Sequence, residues 1–301
     1  MTHTPHDAPR RLLEDQIRAA CVLEATARKP GNVHPQRSFP DLTYQDFVDS
    51  AHAVAPILAQ TAQLGVGQAI FEAMSATQAR VGRNTNLGIV LLLAPLAAVL
   101  PKVPLGRGIA DVLAGLTRRD AELVYEAIRL VQPGGMGEVA EQDVGEAPTA
   151  TLLEVMRLAA DRDLIARQYA ENFSIVLETG LPYLARIDDF REHWEPAVVG
   201  LHLELMSLHP DTLILRKCGL EIAEEASLRA AAVLEAARPG TRNAQEELDR
   251  FDRWLRTGGH RRNPGTTADL VAASLFAAFR DGGLPLISPP PAFPPDLQIR
   301  R

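Results

Sequence analysis

Apolar residues recur along this chain at helical spacing and almost never in strand-like alternation. From 11 to about 28, Leu12, Leu13, Ile17, Ala20, Cys21 and Ala25 share one face of a 3.6-residue turn. The pattern stops before Lys29-Pro30-Gly31-Asn32, because a proline pushes the residue ahead of it away from helical angles. Thr43 reads as an N-cap, and 44 to about 63 places Phe47, Ala51, Val54 and Leu58 on one side, with a kink expected at Pro56. Further helices are predicted over 67–80, 109–116, 120–131, 152–160, 164–179, 190–207, 213–237, 243–257 and 266–279. The most hydrophobic run, 87–100, is interrupted by Pro95 and is too short to span a membrane, so it predicts a buried core helix. The pattern as a whole predicts an all-α fold, a single multi-helix globular domain over 11–284. A disordered lead-in over 1–10 precedes it and a Pro-rich tail over 285–301 follows.

Composition narrows the function. The chain has 301 residues, 46% of them hydrophobic, enough for a full core. A formal charge of −7 and a pI near 5.7 argue against nucleic acid as a partner. An acidic protein that binds a polyanion must gather its cations locally or use metal ions. Cys21 and Cys218 lie far apart in helix-like segments and read as reduced core thiols of a cytosolic protein. Residues 1–10 are polar and carry no apolar h-region, so a soluble, cytoplasmic protein without a membrane partner is expected. Walker A, GxGxxG, HExxH, paired CxxC and GxSxG patterns are all missing from the sequence. The sequence leaves a homo-oligomer open.

Five polar stretches marked by glycine or proline carry the candidate chemistry. The central one, Gly82-Arg83-Asn84-Thr85-Asn86-Leu87-Gly88, sets amides and a hydroxyl beside the most apolar helix, the way pockets are built. Helix capping by Asn84 and Thr85 is the plainer reading. The first stretch, Glu24 with Lys29-Pro30-Gly31-Asn32-Val33-His34, brings a lysine, an amide and an imidazole to one turn, although Lys29 also suits a helix C-terminus. The third, Pro133-Gly134-Gly135-Met136-Gly137, is followed by Glu138, Glu141 and Asp143, hard carboxylates suited to Mg²⁺. The fourth, His209-Pro210-Asp211-Thr212, precedes Arg216 and Lys217; Asp211 and Arg216 can cooperate only if Asp211 sits in the turn before the helix. The fifth, Pro264-Gly265-Thr266-Thr267-Ala268-Asp269-Leu270, leads into a helix whose free N–H groups suit an anion, with Arg261 and Arg262 just upstream.

In these residues, and in their order along the chain from about 13 to 283, the sequence resembles the ATP:dephospho-CoA triphosphoribosyltransferases, also called triphosphoribosyl-dephospho-CoA synthases. The carrying residues are Glu24 with Lys29-Pro30-Gly31, Asn84 to Gly88, Pro133 to Gly137 with Asp143-Val144, and Pro264 to Leu270. The sequence departs from the citrate lyase type at Asn32-Val33-His34 and at Asn86-Leu87-Gly88. Its Asp211-to-Lys217 stretch is similar to a separate subgroup seen in archaea and some methylotrophic bacteria.

The resemblance implies an ATP-dependent glycosyl transferase that cleaves the adenine–ribose bond of ATP and joins ribose C1 to the 2′-hydroxyl of dephospho-CoA. It implies ATP as a substrate, Mg²⁺ and small-molecule nucleotides as partners. Catalytic roles fall to Glu24, Asp143 and Asp269, and metal binding to Glu141 and Asp143. Substrate and phosphate contacts fall to Lys29, Gly31, Asn32, His34, Asn84, Thr85, Asn86, Gly134, Gly135, Asp211, Arg216, Lys217, Gly265, Thr266 and Thr267. Two rival expectations are a related phosphoribosyl transfer in tetrahydromethanopterin biosynthesis and a non-catalytic helical nucleotide-binding protein.

Overall fold

The apolar run at 87–100 becomes the middle of the fold. In a computed structural model, which describes residues 7–131, 142–237 and 244–287, it forms helix α5 (Leu87–Ala98), buried on nearly every side. Pro95 stays inside this helix. The N-terminal helices α1 (Asp7–Thr26), α2 (Tyr44–Leu58), α3 (Thr61–Leu64) and α4 (Val66–Val81) pack along one flank. Helices α6 (Leu105–Ala114), α7 (Arg118–Val131), α8 (Leu152–Ala159) and α9 (Leu164–Ala170) come next. A π-helical turn (Ile175–Gly180), α10 (Leu181–Leu184) and α11 (Phe190–Leu208) lead to α12 (Thr212–Cys218), α13 (Leu220–Ala236), α14 (Ala244–Leu255) and α15 (Gly265–Arg280). No strand occurs among the described residues, which contain isolated bridges at His34–Arg37 and Phe39–Leu42. The fold is therefore all-α, as the periodicity predicts.

Helix α15 is the second central element. It is buried along most of its length and packs against α1, α5, α11 and the π-helical turn. One hydrophobic cluster runs through all of these helices. Cys21 is buried and Cys218 half-buried, and neither forms a disulfide. No helix of the described residues is long and apolar enough to cross a membrane.

Three predicted helices are divided in the structure, each for a local reason. The helix expected over 44–63 ends at Leu58, and α3 resumes the chain until Gly65 takes φ 87°. The helix expected over 164–179 stops at Ala170, because Asn172 and Phe173 adopt left-handed backbone at φ 51° and 63°. The Gln168 side chain accepts the Val176 N–H at 3.2 Å and bridges that break. The helix expected over 213–237 is cut at Gly219, whose φ of 90° only glycine adopts easily. This cut sets α12 apart as a short element with its own N-cap, Asp211. Of the expected tail, 288–301 lies outside the described residues.

Candidate active site

The C-terminal end of α1, the N-terminus of α5, the short helix α12 and the first turns of α15 converge on one cavity of about 1330 Å³. Helices α7, α8 and α9 line its other side. The walls carry five carboxylates from described residues, Glu24, Asp41, Asp143, Asp163 and Asp269, and cations that include Arg83, Arg129, Arg162, Arg216 and Lys217.

Glu24 reaches the cavity wall while its partner Lys29 lies behind it. The ammonium of Lys29 sits 2.9 Å from Glu24 Oε1, with the two side chains 0% and 4% exposed, and it also donates to the Glu24 carbonyl. A buried pair of this kind holds only while both members are present, since removing one leaves an uncompensated charge at roughly 3–5 kcal/mol. Lys29 is thus spent on fixing Glu24. Among the described residues it is not part of the cavity lining.

Asp269 lies about one turn into α15 and faces the same cavity, half-buried. It nearly touches Gly88 in the first turn of α5: a Cβ at position 88 would lie 2.0 Å from Asp269 Oδ2. The glycine is required there by space alone. Burial pushes the Asp269 carboxyl well above its ordinary range, and the neighbouring charges of Glu24, Asp211 and Asp163 push the same way. Such a carboxyl keeps its proton at pH values where an exposed one has lost it.

The amides of the central stretch divide their work. Asn84 Oδ1 accepts the Leu87 N–H at 3.2 Å, which is a capping role at the start of α5. Thr85 Oγ1 pairs with Ser50 Oγ at 2.6 Å, and Asn86 Oδ1 accepts from Thr77 at 3.2 Å. All three line the cavity, so capping and pocket-lining coexist here.

At the start of α15 the arrangement differs. Asp211, fully buried, caps α12 by accepting from Leu213 and Ile214 N–H, both at 2.9 Å. Its other oxygen accepts from the N–H and hydroxyl of Thr267, at 2.7 and 2.8 Å. Burial raises the Asp211 carboxyl, and these four donors oppose that shift. One amide expected for an incoming phosphate, that of Thr267, is therefore bound to a carboxylate of the protein itself. Gly265 and Thr266 line the cavity, whereas Thr267 and Asp211 stand behind it. Thr266 receives the Thr212 hydroxyl at 3.2 Å.

Asp211 does occupy the turn before its helix, as cooperation with Arg216 requires, yet the guanidinium of Arg216 pairs instead with Asp163 Oδ2. The other Asp163 oxygen caps α9 through Ile165 and Ala166 N–H. Lys217 lines the cavity beside Arg216 and makes no ion pair among the described residues. Burial lowers its ammonium pKa, and the charge of Arg216 lowers it further. Arg261 donates to the Lys217 carbonyl and Arg262 lies 4.4 Å over the Trp254 ring, so these two cations serve packing.

In the first stretch, Gly31 takes φ 77° and gives its N–H to Asp252 at 2.8 Å, which shapes the turn. Asn32 reaches the cavity and donates to Asn263 at 2.6 Å. His34 is buried, is not part of the lining, and is pushed down to about 3 by burial and by Arg256 and Lys29. At neutral pH it carries no charge to offer a phosphate. Asp143 lines the cavity from the α7–α8 connection and accepts the Gly145 N–H at 2.7 Å. Gly134, Gly135 and Glu141 lie outside the described residues.

Sequence reasoning missed Asp163. Its position before an apolar helical run signals an N-cap, but its reach to Arg216 depends on how α9 and α12 meet. It also missed the rim, where His260 Nδ1 and Asp41 Oδ1 lie 3.3 Å apart and Arg83 donates to the Asp41 carbonyl.

Fold and site together define an all-α protein with one large cavity whose wall holds adjoining acids and cations. A sequence model of ATP:dephospho-CoA triphosphoribosyl transferase matches residues 10–286, and the chain belongs to that family. It is accordingly a transferase, which removes the reading as a non-catalytic binding protein. Among solved structures, a candidate triphosphoribosyl-dephospho-CoA synthase from Archaeoglobus fulgidus is 30% identical. The match covers 77% of this chain and 98% of that one with a TM-score of 0.58. No curated protein matches the chain.

Proposed function

We propose that this protein transfers the triphosphoribosyl group of ATP to the 2′-hydroxyl of dephospho-CoA, with Asp269 as the acid that protonates the departing adenine. The observation that carries this reading is the pair of unlike carboxyls on one wall. Burial and the charges of Glu24, Asp211 and Asp163 push the Asp269 carboxyl well above its ordinary range, and Glu24 is ion-paired to Lys29. Cleavage of an N-glycosidic bond builds positive charge on ribose C1 and basicity on the leaving base. A carboxylate beside C1 and a carboxylic acid beside the base answer these two needs. In this division Glu24 stabilises the oxocarbenium-like centre, and Asp143, on the opposite wall, takes the proton of the acceptor hydroxyl. Arg216, oriented by Asp163, and Lys217 neutralise the triphosphate.

Mg²⁺ enters with ATP, as part of the substrate. It usually keeps several waters and binds through one or two carboxylates plus phosphate oxygens. The described residues contain no group of three or more His, Cys, Asp or Glu side chains that could hold a metal by themselves. A carboxylate such as Asp143 has the donor chemistry for the partial role.

The test is incubation of the protein with Mg-ATP and dephospho-CoA, read by mass spectrometry. Free adenine together with a product heavier by ribose triphosphate is the expected result. Adenine without that product would retain the donor and replace the acceptor. No adenine from folded protein would overturn the reading.

A further inference from the structure

The two halves of the cavity differ in chemistry. The half between α1, α5, α12 and α15 holds Glu24, Asp269, Arg216 and Lys217. The half between α7, α8 and α9 carries mostly aliphatic and thioether side chains, among them Val124, Ile128, Leu152, Val155, Met156 and Ile165. Its two arginines, Arg129 and Arg162, donate to the backbone carbonyls of Val144 and Leu158. The whole space, about 1330 Å³, exceeds the roughly 300–1,000 Å³ of an ordinary small-molecule pocket. It has room for two substrates.

We infer that the apolar limb binds the pantetheine chain of the acceptor, while the donor nucleotide occupies the charged half. This rests on the reading of dephospho-CoA as acceptor. A triphosphate gains nothing from a wall of methyl and methylene groups and would leave its charges unmatched. Pantetheine is a flexible chain of methylenes, a gem-dimethyl carbon, two amides and a thiol, and has the length and apolar surface to follow such a limb. Seated there, it directs the attached adenosine and its 2′-hydroxyl toward the junction of the two halves. That junction is where the acid pair faces the donor ribose. The limb also explains how one cavity distinguishes two adenine nucleotides, since only the acceptor has a chain to place in it.

Ile128→Asn and Val155→Asn put an amide on the limb at half-buried positions, and neither is a residue assigned to catalysis. Each is expected to raise the KM for dephospho-CoA about tenfold, with the KM for ATP and the melting temperature near wild type. Val155→Ile, which keeps the wall apolar, should change neither constant appreciably. With wild-type protein, 4′-phosphopantetheine should inhibit competitively against dephospho-CoA and not against ATP, and both Asn variants should weaken that inhibition to a similar degree. Unchanged acceptor constants in the folded Asn variants would overturn the inference, as would inhibition competitive with ATP. If wild-type protein releases adenine but never modifies dephospho-CoA, the proposed acceptor falls first and the pantetheine assignment falls with it.

Discussion

Asp211 and Asp269 sit on neighbouring elements, and burial raises both carboxyls, but their surroundings differ. Asp211 is saturated by four donors, three of them backbone N–H groups, and joins α12 to α15. Asp269 accepts no hydrogen bond from the described residues, is pressed against a bare glycine and faces the cavity. A carboxylate whose oxygens are all occupied by the protein fixes geometry. One that faces a cavity without a protein donor is available to a substrate. Burial and pKa direction alone would not have separated them. The count of donors does.

The same substitution made twice is the sharpest way to break this comparison. Asp269→Asn removes the proposed proton donor while keeping the shape, and turnover should fall on the order of 10³-fold with the fold retained. Steady-state adenine release checks it, and activity within tenfold of wild type would end the assignment. The folded state holds the Asp269 proton more tightly than the unfolded chain does. Its contribution to stability is therefore present below the ordinary carboxyl range and lost as pH rises through the raised pKa. Turnover should decline over the same interval. Melting curves and rates taken across pH should both flatten in Asp269→Asn.

Gly88→Ala attacks Asp269 through space. A methyl 2.0 Å from Oδ2 must displace the carboxyl, and a misplacement of this size costs about 10²-fold in turnover. The KM for ATP should change far less. Asp211→Asn should behave in the opposite way. An amide N–H pointed at donors replaces an acceptor, so denaturant titration should show a loss of about 2 kcal/mol, with turnover per folded molecule within a few-fold of wild type. The smallest effect belongs to Asp163→Asn. Asparagine still caps α9 but no longer offers Arg216 a charge, which is worth about 1 kcal/mol, or roughly a fivefold rise in the KM for ATP.

The fold was largely legible because its signal is periodic. Helices at 67–80, 120–131, 152–160 and 266–279 are present within one to two residues of the predicted bounds. What escaped was local backbone choice. Nothing in the 164–179 pattern announces left-handed Asn172 and Phe173, and Gly219 within a helical run could have been a tolerated glycine. Glu24, Asn84 to Asn86, Arg216, Lys217 and Asp269 were each singled out, and the structure does gather them around one cavity. Their division of labour was not legible. Lys29 turned inward to Glu24, Asp211 turned to Thr267, and Asp163 took Arg216, because such pairings depend on how distant helices meet.

The contact between Gly88 and Asp269 also constrains how descendants of this sequence can change. Any side chain at position 88 collides with the carboxyl, so the glycine can be replaced only after position 269 has become shorter. That first step removes the group to which the proposed mechanism gives protonation of the departing adenine. The reverse order passes through a crowded intermediate with its acid displaced. If Asp269 has the proposed role, selection for the reaction closes both single-step routes, and the two positions, 181 residues apart by their numbers, are expected to change only together.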